Sequence, residues 1–336
     1  MVRVGLVGAG FMGKMHANVY SVLDDATLVA VADTAPGVAA EVAGQWDARA
    51  YESFEDMMAA EKLDLVDICL PTYLHAEYTV KAANAGVDVM CEKPMAMTVE
   101  EADRMIAAAR DNNVRLMIGH CIRFWPEYEI LKEYTDSGRL GRLKSINLTR
   151  VSPLPVWCWD GWLLDESRSG SAVLDLHIHD TDYILYLLGQ PDEIFSRGTQ
   201  DKNGLSHIYT TMTFGNTVAS IEGGWDFNDT FPFKMAFRAV FEKGALAMDG
   251  GPLTIYEDGK DPVQPEIDRM EAAGAGGNIS DLGGYYREIK YLIDCIVNNK
   301  PLVTVTPQSS RQSLAVVMEE IRQAKAGEQI KNLNPE

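Results

Sequence analysis

Asp175, His177 and His179 stand in the stretch "SGSAVLDLHIHDTDYILYLLGQP", residues 169–191, and are residue types that bind metals or move protons. On a strand, alternate residues share a face, and all three could hold one cation. On a helix, at about 100° per residue, Asp175, His179 and Asp182 lie on one side and His177 on the other. The stretch is too long for an ordinary strand. Serines stand at its start, and Gly189 and then Pro191 at its end, as helix boundaries require. The spacing therefore predicts a helix, no metal site, and an Asp175–His179 pair suited to acid–base chemistry. The carboxylate would hold one ring nitrogen and leave the other to take a proton. On this reading His177 is packed or bonded to backbone, Asp180 lies on a solvated face, and Asp182 orients a neighbour.

A second constellation is "GAGFMG", with Gly8, Gly10 and Gly13 in GxGxxG spacing. "VRVGLV" before it reads as a buried strand, and "KMHANVYSVL" after it as a helix. "ATLVAVAD" reads as a second strand ending in Asp33, 20 residues past Gly13. This context is that of a dinucleotide site. Gly8 permits the tight turn, Gly10 lets a pyrophosphate approach the backbone, and Gly13 lets helix and strand pack closely. The helix start, with Phe11 and Met12, offers N–H groups to phosphate. Asp33 would accept from the ribose hydroxyls and repel a 2′-phosphate, which favours NAD over NADP.

These groups need a scaffold that brings strand ends together. "DLVDICLP", "VDVMCEKP" and "VRLMIGHC" read as further buried strands. Helical segments alternate with them. One is closed by Gly86, and another opens at a Thr98 cap with Glu101 three residues on. That rhythm predicts a doubly wound parallel sheet, with ligands at the carboxyl edge. Pro71, Thr72, His75, Glu92, Lys93, Pro94 and His120 should gather there. Lys93 can hold a substrate oxygen; otherwise it is a surface lysine.

From about Phe124 the pattern becomes alternating, as in "LKSINLTRVS", "HIYTTMTF", "TVASIEGGW", "FKMAFRAVFEK" and "PLTIYED", which predicts a mostly antiparallel open sheet. Residues 271–284 are glycine-rich and read as a mobile loop. The expected organisation is a Rossmann domain at 1–123 and a second α/β domain at 124–336, with a cleft between them for a small substrate. Trp157, Trp159 and Trp162 either line it or serve packing and subunit contact. Arg123 and Tyr285 are further substrate candidates.

The chain has 336 residues, enough for about two domains. Apolar residues make up 46% and charged residues 24%, an ordinary globular balance. A net charge of −19 argues against nucleic-acid or anionic-membrane partners. The five cysteines are scattered without CxxC spacing, which fits a reducing cytoplasm. The N-terminus lacks a signal peptide's apolar core, and no run approaches the ~18 apolar residues of a membrane span.

Together these segments resemble the Gfo/Idh/MocA oxidoreductases, which include glucose–fructose oxidoreductase and inositol dehydrogenases. The likeness rests on "GLVGAGFMGKMH", "DICLPTYLHAEYTVKAANAGVDVMCEKPMAMTVEEA" and "SGSAVLDLHIHDTDYILYLLG". It places the family's EKP element on Glu92-Lys93-Pro94 and its DxxxH element on Asp175 and His179, with a further aspartate at Asp182. It implies Lys93, Asp175 and His179 as the catalytic group, a sugar or cyclitol substrate, bound NAD, and a homodimer or homotetramer formed through the open sheet. Two departures stand out. Ser169-Gly170-Ser171 replaces three glycines, and His177 stands where members often carry a small residue. Both bear on the substrate rather than the reaction. Three alternatives stay open: an enzyme that keeps its NAD and oxidises a glycoside only transiently to allow elimination, a non-enzymatic NAD-dependent sensor, and a metal-dependent hydrolase built on the His177–His179 pair.

Overall fold

The computed structural model describes residues 1–268 and 282–327. In chain order the elements begin β1 (Val2–Val7), α1 (Phe11–Tyr20), β2 (Ala26–Ala32), α2 (Val38–Gln45), β3 (Arg49–Tyr51) and α3 (Phe54–Ala60). They continue β4 (Leu65–Ile68), α4 (Thr72–Asn84), β5 (Asp88–Glu92), α5 (Val99–Asp111), β6 (Leu116–Gly119) and α6 (Pro126–Ser137). Then come β7 (Leu143–Pro153), α7 (Glu166–Ser169), a π-helical turn Val173–His177 and α8 (Ile178–Leu188). Strands β8 (Glu193–Asp201), β9 (Gly204–Phe214), β10 (Thr217–Phe227), β11 (Lys234–Phe241), β12 (Gly244–Met248) and β13 (Thr254–Glu257) follow. Helices α9 (Gly283–Val297) and α10 (Pro307–Ala326) close the described chain.

Packing divides the chain into two compact units, Met1–Ile130 with Glu266–Gln312 and Leu131–Pro265 with Ser313–Glu336. The sequence suggests one cut at 123/124, but the chain passes between units more than once. Helix α9 belongs to the first unit because its apolar side, including Ile289, Leu292 and Ile293, is buried with Val4, Leu6 and Met15 in a single core.

The first unit holds a parallel sheet in the order β3-β2-β1-β4-β5-β6. Strands β1, β4 and β6 are buried almost throughout, as helices on both faces demand. The reversal of order at β1 and β4 opens the crevice where such sheets take ligands. Helix α5 starts as its sequence predicts: Thr98 Oγ1 accepts the Glu101 N–H at 3.2 Å. Strand β3 is an addition, lying in a stretch between the second and fourth strands that the sequence does not mark as a strand. It is a short edge strand whose first two residues are exposed and whose third alone is partly covered, so it leaves almost no apolar pattern.

The second unit holds a seven-stranded sheet, β13-β12-β11-β7-β10-β9-β8. Its pairs are antiparallel except β7 with β10. Strands β8 and β12 fall outside the alternating segments of the sequence. One face of this sheet carries the segment 169–188. The register rows place Phe195, Tyr209, Val218, Val240 and Tyr256 together on the other face, where each is at least 41% exposed. Residues 271–281 of the expected loop lie outside the described residues. Gly283 and Gly284 instead open α9, and a Cβ on Gly284 would collide with the Trp125 ring.

Candidate active site

At the carboxyl edge of the first sheet the glycines have distinct jobs. Gly8 has φ +89°, and a Cβ there would stand 2.6 Å from the Cys69 carbonyl oxygen. A Cβ on Gly13 would collide with the Gly8 carbonyl, so α1 can lie against the turn only with glycine at that position. Gly10 is the N-cap of α1 and has nothing within 4 Å of a Cβ position. Open space at a helix N-terminus suits an anion such as pyrophosphate. The Asp33 carboxylate accepts from Ala9 N–H through Oδ2 and from Ala35 N–H through Oδ1, each at 2.8 Å. It is half-buried, and each oxygen keeps lone-pair capacity for a ribose hydroxyl. The glycine turn and the start of α1, where Phe11 and Met12 stand, thus leave room for a dinucleotide's phosphates.

The other strand ends are tied together. Pro71 caps α4, and Thr72 is buried beneath it. The buried His75 ring places Nδ1 2.7 Å from Pro94 O and Nε2 2.7 Å from Leu70 O. Burial lowers its pKa, and a neutral ring donates to only one carbonyl at a time. His75 therefore packs between the turns after β4 and β5 and hydrogen-bonds one of their two carbonyls. Lys93 is half-buried, and its N–H donates to Glu92 Oε2 at 3.1 Å. His120 is buried. Arg123 is 4% exposed and donates through Nη1 to Thr304 O at 2.7 Å and Ser309 Oγ at 3.2 Å, so that nitrogen is spent on packing within the unit.

Two residues overlooked in the sequence stand below this edge. His16 and Asp67 are fully buried, with Nδ1 and Oδ2 2.8 Å apart. His16 Nε2 lies 3.0 Å from Glu92 Oε1, as a charge contact rather than an aligned hydrogen bond. Burial works to lower the His16 pKa, yet the charge of Asp67 carries it well above the ordinary imidazole value. Burial likewise opposes the Glu92 charge, but His16 holds that carboxyl below its usual range. Burial pushes the Cys69 thiol and the Tyr20 phenol up. A buried histidine inside an otherwise apolar helix face was the available signal.

In the second unit, Asp175, Leu176 and His179 are the partly exposed residues of 171–180, and the rest are buried. The helix proposed from the sequence exists, interrupted by the π-helical turn Val173–His177, a feature frequent at functional sites. Gly170 at φ +71° precedes it, and a Cβ there would strike Leu174. The expected far-side position of His177 is observed, and its partner is a carboxylate: Nε2 lies 3.2 Å from the buried Glu320 Oε1. Thr181 Oγ1 donates to the same carboxylate at 3.0 Å. Asp180 corrects its expectation. It is not on a solvated face but fully buried, where Arg150 from β7 pairs with both its oxygens at 2.9 and 3.0 Å. Helical spacing could not reveal that a strand covers that side. Asp182 Oδ1 accepts the Ser313 hydroxyl at 2.7 Å.

The aromatic candidates separate. Trp157 and Trp159 are 65% and 60% exposed, while Trp162 packs with Leu176 on the cluster of Cys158, Leu163, Ala172 and Trp225. Tyr285, at the start of α9, meets Trp125 edge-to-face at 5.7 Å between centroids, and burial raises its phenol. Among the described residues, the group close enough to share a cation is His16, Asp67 and Cys69, not the Asp175–His179 stretch. Those three already bond one another.

Residues 2–120 match the oxidoreductase family with NAD-binding Rossmann fold, and residues 128–247 match that family's C-terminal domain. The chain belongs to the GFO/IDH/MocA family. Its first unit is an NAD-binding Rossmann domain. Over 193 residues it is 36% identical to an inositol 2-dehydrogenase of Rhizobium meliloti, covering 56% of each chain. Over 201 residues it is 31% identical to a myo-inositol 2-dehydrogenase of Thermotoga maritima, covering 59% of this chain and 58% of that one. The match therefore spans somewhat over half the length of these relatives. The structure of UDP-N-acetylglucosamine 3-dehydrogenase from Acidithiobacillus ferrooxidans superposes with a TM-score of 0.78 at 26% identity, over 98% of this chain and 99% of that one. No described helix is long and apolar enough to cross a membrane.

Proposed function

We propose that this protein is an NAD-dependent dehydrogenase acting on a secondary alcohol of a sugar, sugar derivative or inositol-like cyclitol. The observation that carries this reading is the sorting of the 171–180 helix. His177 and Asp180 are buried against Glu320 and Arg150, while Asp175 and His179 stay partly exposed on the same helix. Bound NAD would supply the hydride acceptor. Gly8, Gly10, Phe11, Met12 and Gly13 would hold its phosphates and Asp33 its ribose, favouring NAD over NADP. Pro71, Thr72, His75 and Glu92 shape the neighbouring strand ends.

His179 takes the hydroxyl proton as general base, and Asp175 orients the ring and stabilises the imidazolium that forms. The Lys93 ammonium would stabilise the negative charge that develops on the substrate oxygen. Arg123, Trp157, Trp162 and Tyr285 stand as candidates for substrate contact, with Trp157 the one most open to solvent. The relatives' named substrates, inositols and a sugar nucleotide, are polyols with secondary hydroxyls, which supports this class. The open sheet face bearing Phe195, Tyr209, Val218, Val240 and Tyr256 would pair with a second copy of the chain, since single-chain proteins seldom expose so many apolar groups on one face.

The test is a panel of inositols, sugars, glycosides and sugar nucleotides with NAD and with NADP, following reduced-nicotinamide absorbance. Turnover of a polyol that disappears in Lys93→Met and His179→Ala is expected. Full turnover in either variant removes that residue from the mechanism.

A further inference from the structure

Beneath the glycine turn, three elements of the first unit bring charged side chains into one dry cluster. His16 comes from α1, Asp67 from β4 and Glu92 from the end of β5, and they are 0%, 0% and 5% exposed. Each imidazole nitrogen faces a carboxylate oxygen, Nδ1 at 2.8 Å from Asp67 and Nε2 at 3.0 Å from Glu92. Tyr20 donates its hydroxyl to the same Asp67 oxygen at 2.8 Å, and Cys69 Sγ lies 3.4 Å from Nδ1. From α9, the Tyr285 ring approaches His16 to 6.3 Å.

A neutral imidazole has one N–H and one lone pair. Here a neutral ring would aim that lone pair at a carboxylate, and it would put no positive charge between the two buried carboxylates. A proton on each nitrogen removes the lone-pair repulsion and places one cation between the two carboxylates, hydrogen-bonded to Asp67 and in charge contact with Glu92. The Glu92 carboxylate then has one oxygen against His16 and the other accepting the Lys93 N–H at 3.1 Å. Gly119 on β6 leaves room for this, since a Cβ there would stand 3.1 Å from Glu92 Oε1. A single carboxylate thus links the helix of the glycine turn to the backbone of Lys93.

We propose that His16 is a positioning residue: held as an imidazolium between Asp67 and Glu92, it fixes the carboxylate that anchors the Lys93 N–H and so sets the direction in which Lys93 leaves β5. This inference rests on Lys93 holding the substrate oxygen.

The experiment compares His16→Gln, Glu92→Gln, their double variant and Lys93→Met, measuring kcat, KM and NAD affinity on a polyol that the wild type oxidises. His16→Gln should lower kcat at least about tenfold, because small displacements of a reacting group are costly, while the Kd for NAD stays within about twofold. The double variant should be no slower than His16→Gln alone, since both act through one contact. Unchanged kcat in His16→Gln with Lys93→Met inactive overturns the positioning role alone. Fully additive losses in the double variant overturn it as well. An active Lys93→Met overturns the function reading itself. Should His16→Gln not fold, ¹⁵N spectra of the wild-type holoenzyme decide: two N–H signals from the His16 ring at neutral pH, above the ordinary imidazole value, support the imidazolium, and a neutral tautomer there overturns it.

Discussion

Lys93 and His179 are carried by different kinds of support. Lys93 stands just past a strand end, in a row of groups contributed by separate strands and held largely by backbone. Asp33 accepts two backbone N–H groups, Glu92 accepts another, and His75 lies between two carbonyls. His179 sits in the middle of one helix that also carries Asp175, His177, Asp180 and Asp182. There, distant side chains do the sorting: Glu320 engages His177, Arg150 engages Asp180 and Ser313 engages Asp182. A strand-end site is located by topology. A helical site is located by which sides of the helix the rest of the unit covers.

The largest expected effects test whether both supports serve one reaction. His179→Ala and Lys93→Met should each lower kcat by roughly 10²–10⁴, the range for losing a general base or a charge-stabilising group, with NAD titrations nearly unchanged. A loss confined to one variant breaks the comparison. Next, Arg150→Met leaves the Asp180 carboxylate buried and unpaired, which costs about 3–5 kcal/mol of stability in denaturant titrations. An equally stable variant would mean that α8 does not depend on that pair.

Asp33→Ala should move the ratio of NADP to NAD efficiency upward by about tenfold, close to 1.4 kcal/mol. The measurement is kcat/KM with each cofactor, and an unchanged ratio removes Asp33 from cofactor choice. The smallest effect concerns pH. The folded pKa of His16 is raised, so its stabilisation is complete below the ordinary value of 6.5 and is lost as pH rises through the folded value. Glu92 is lowered, so its contribution is present above the ordinary 4.5 and lost as pH falls through its folded value. Tm should therefore decline as pH rises above the ordinary imidazole value more steeply in wild type than in His16→Gln. Parallel curves would show that His16 carries no held proton.

Much of the first unit was legible because its signals are local. Gly8, Gly10 and Gly13 specify a turn, and runs such as "VRVGLV" specify strands covered on both faces. The edge strand β3 leaves no signal because two of its three residues are exposed and carry no apolar pattern. The role of Asp180 was misread because its partner, Arg150, lies 30 positions away on a strand. His16 was passed over because a single histidine in a helix says nothing about Asp67 and Glu92, which lie 51 and 76 positions further on.

The chain's own order of residues determined the alternation of strand and helix, the glycine turn, the acidic end of β2, and the helical spacing that separates His177 from the Asp175–His179 side. Each follows from backbone sterics and periodicity within a few residues. Only the tertiary structure decided which polar groups are buried, which partners neutralise them, and that one carboxylate joins His16 to Lys93. Burial and charge pairing depend on segments far apart in sequence, and their energies exist only once those segments share a low-dielectric interior.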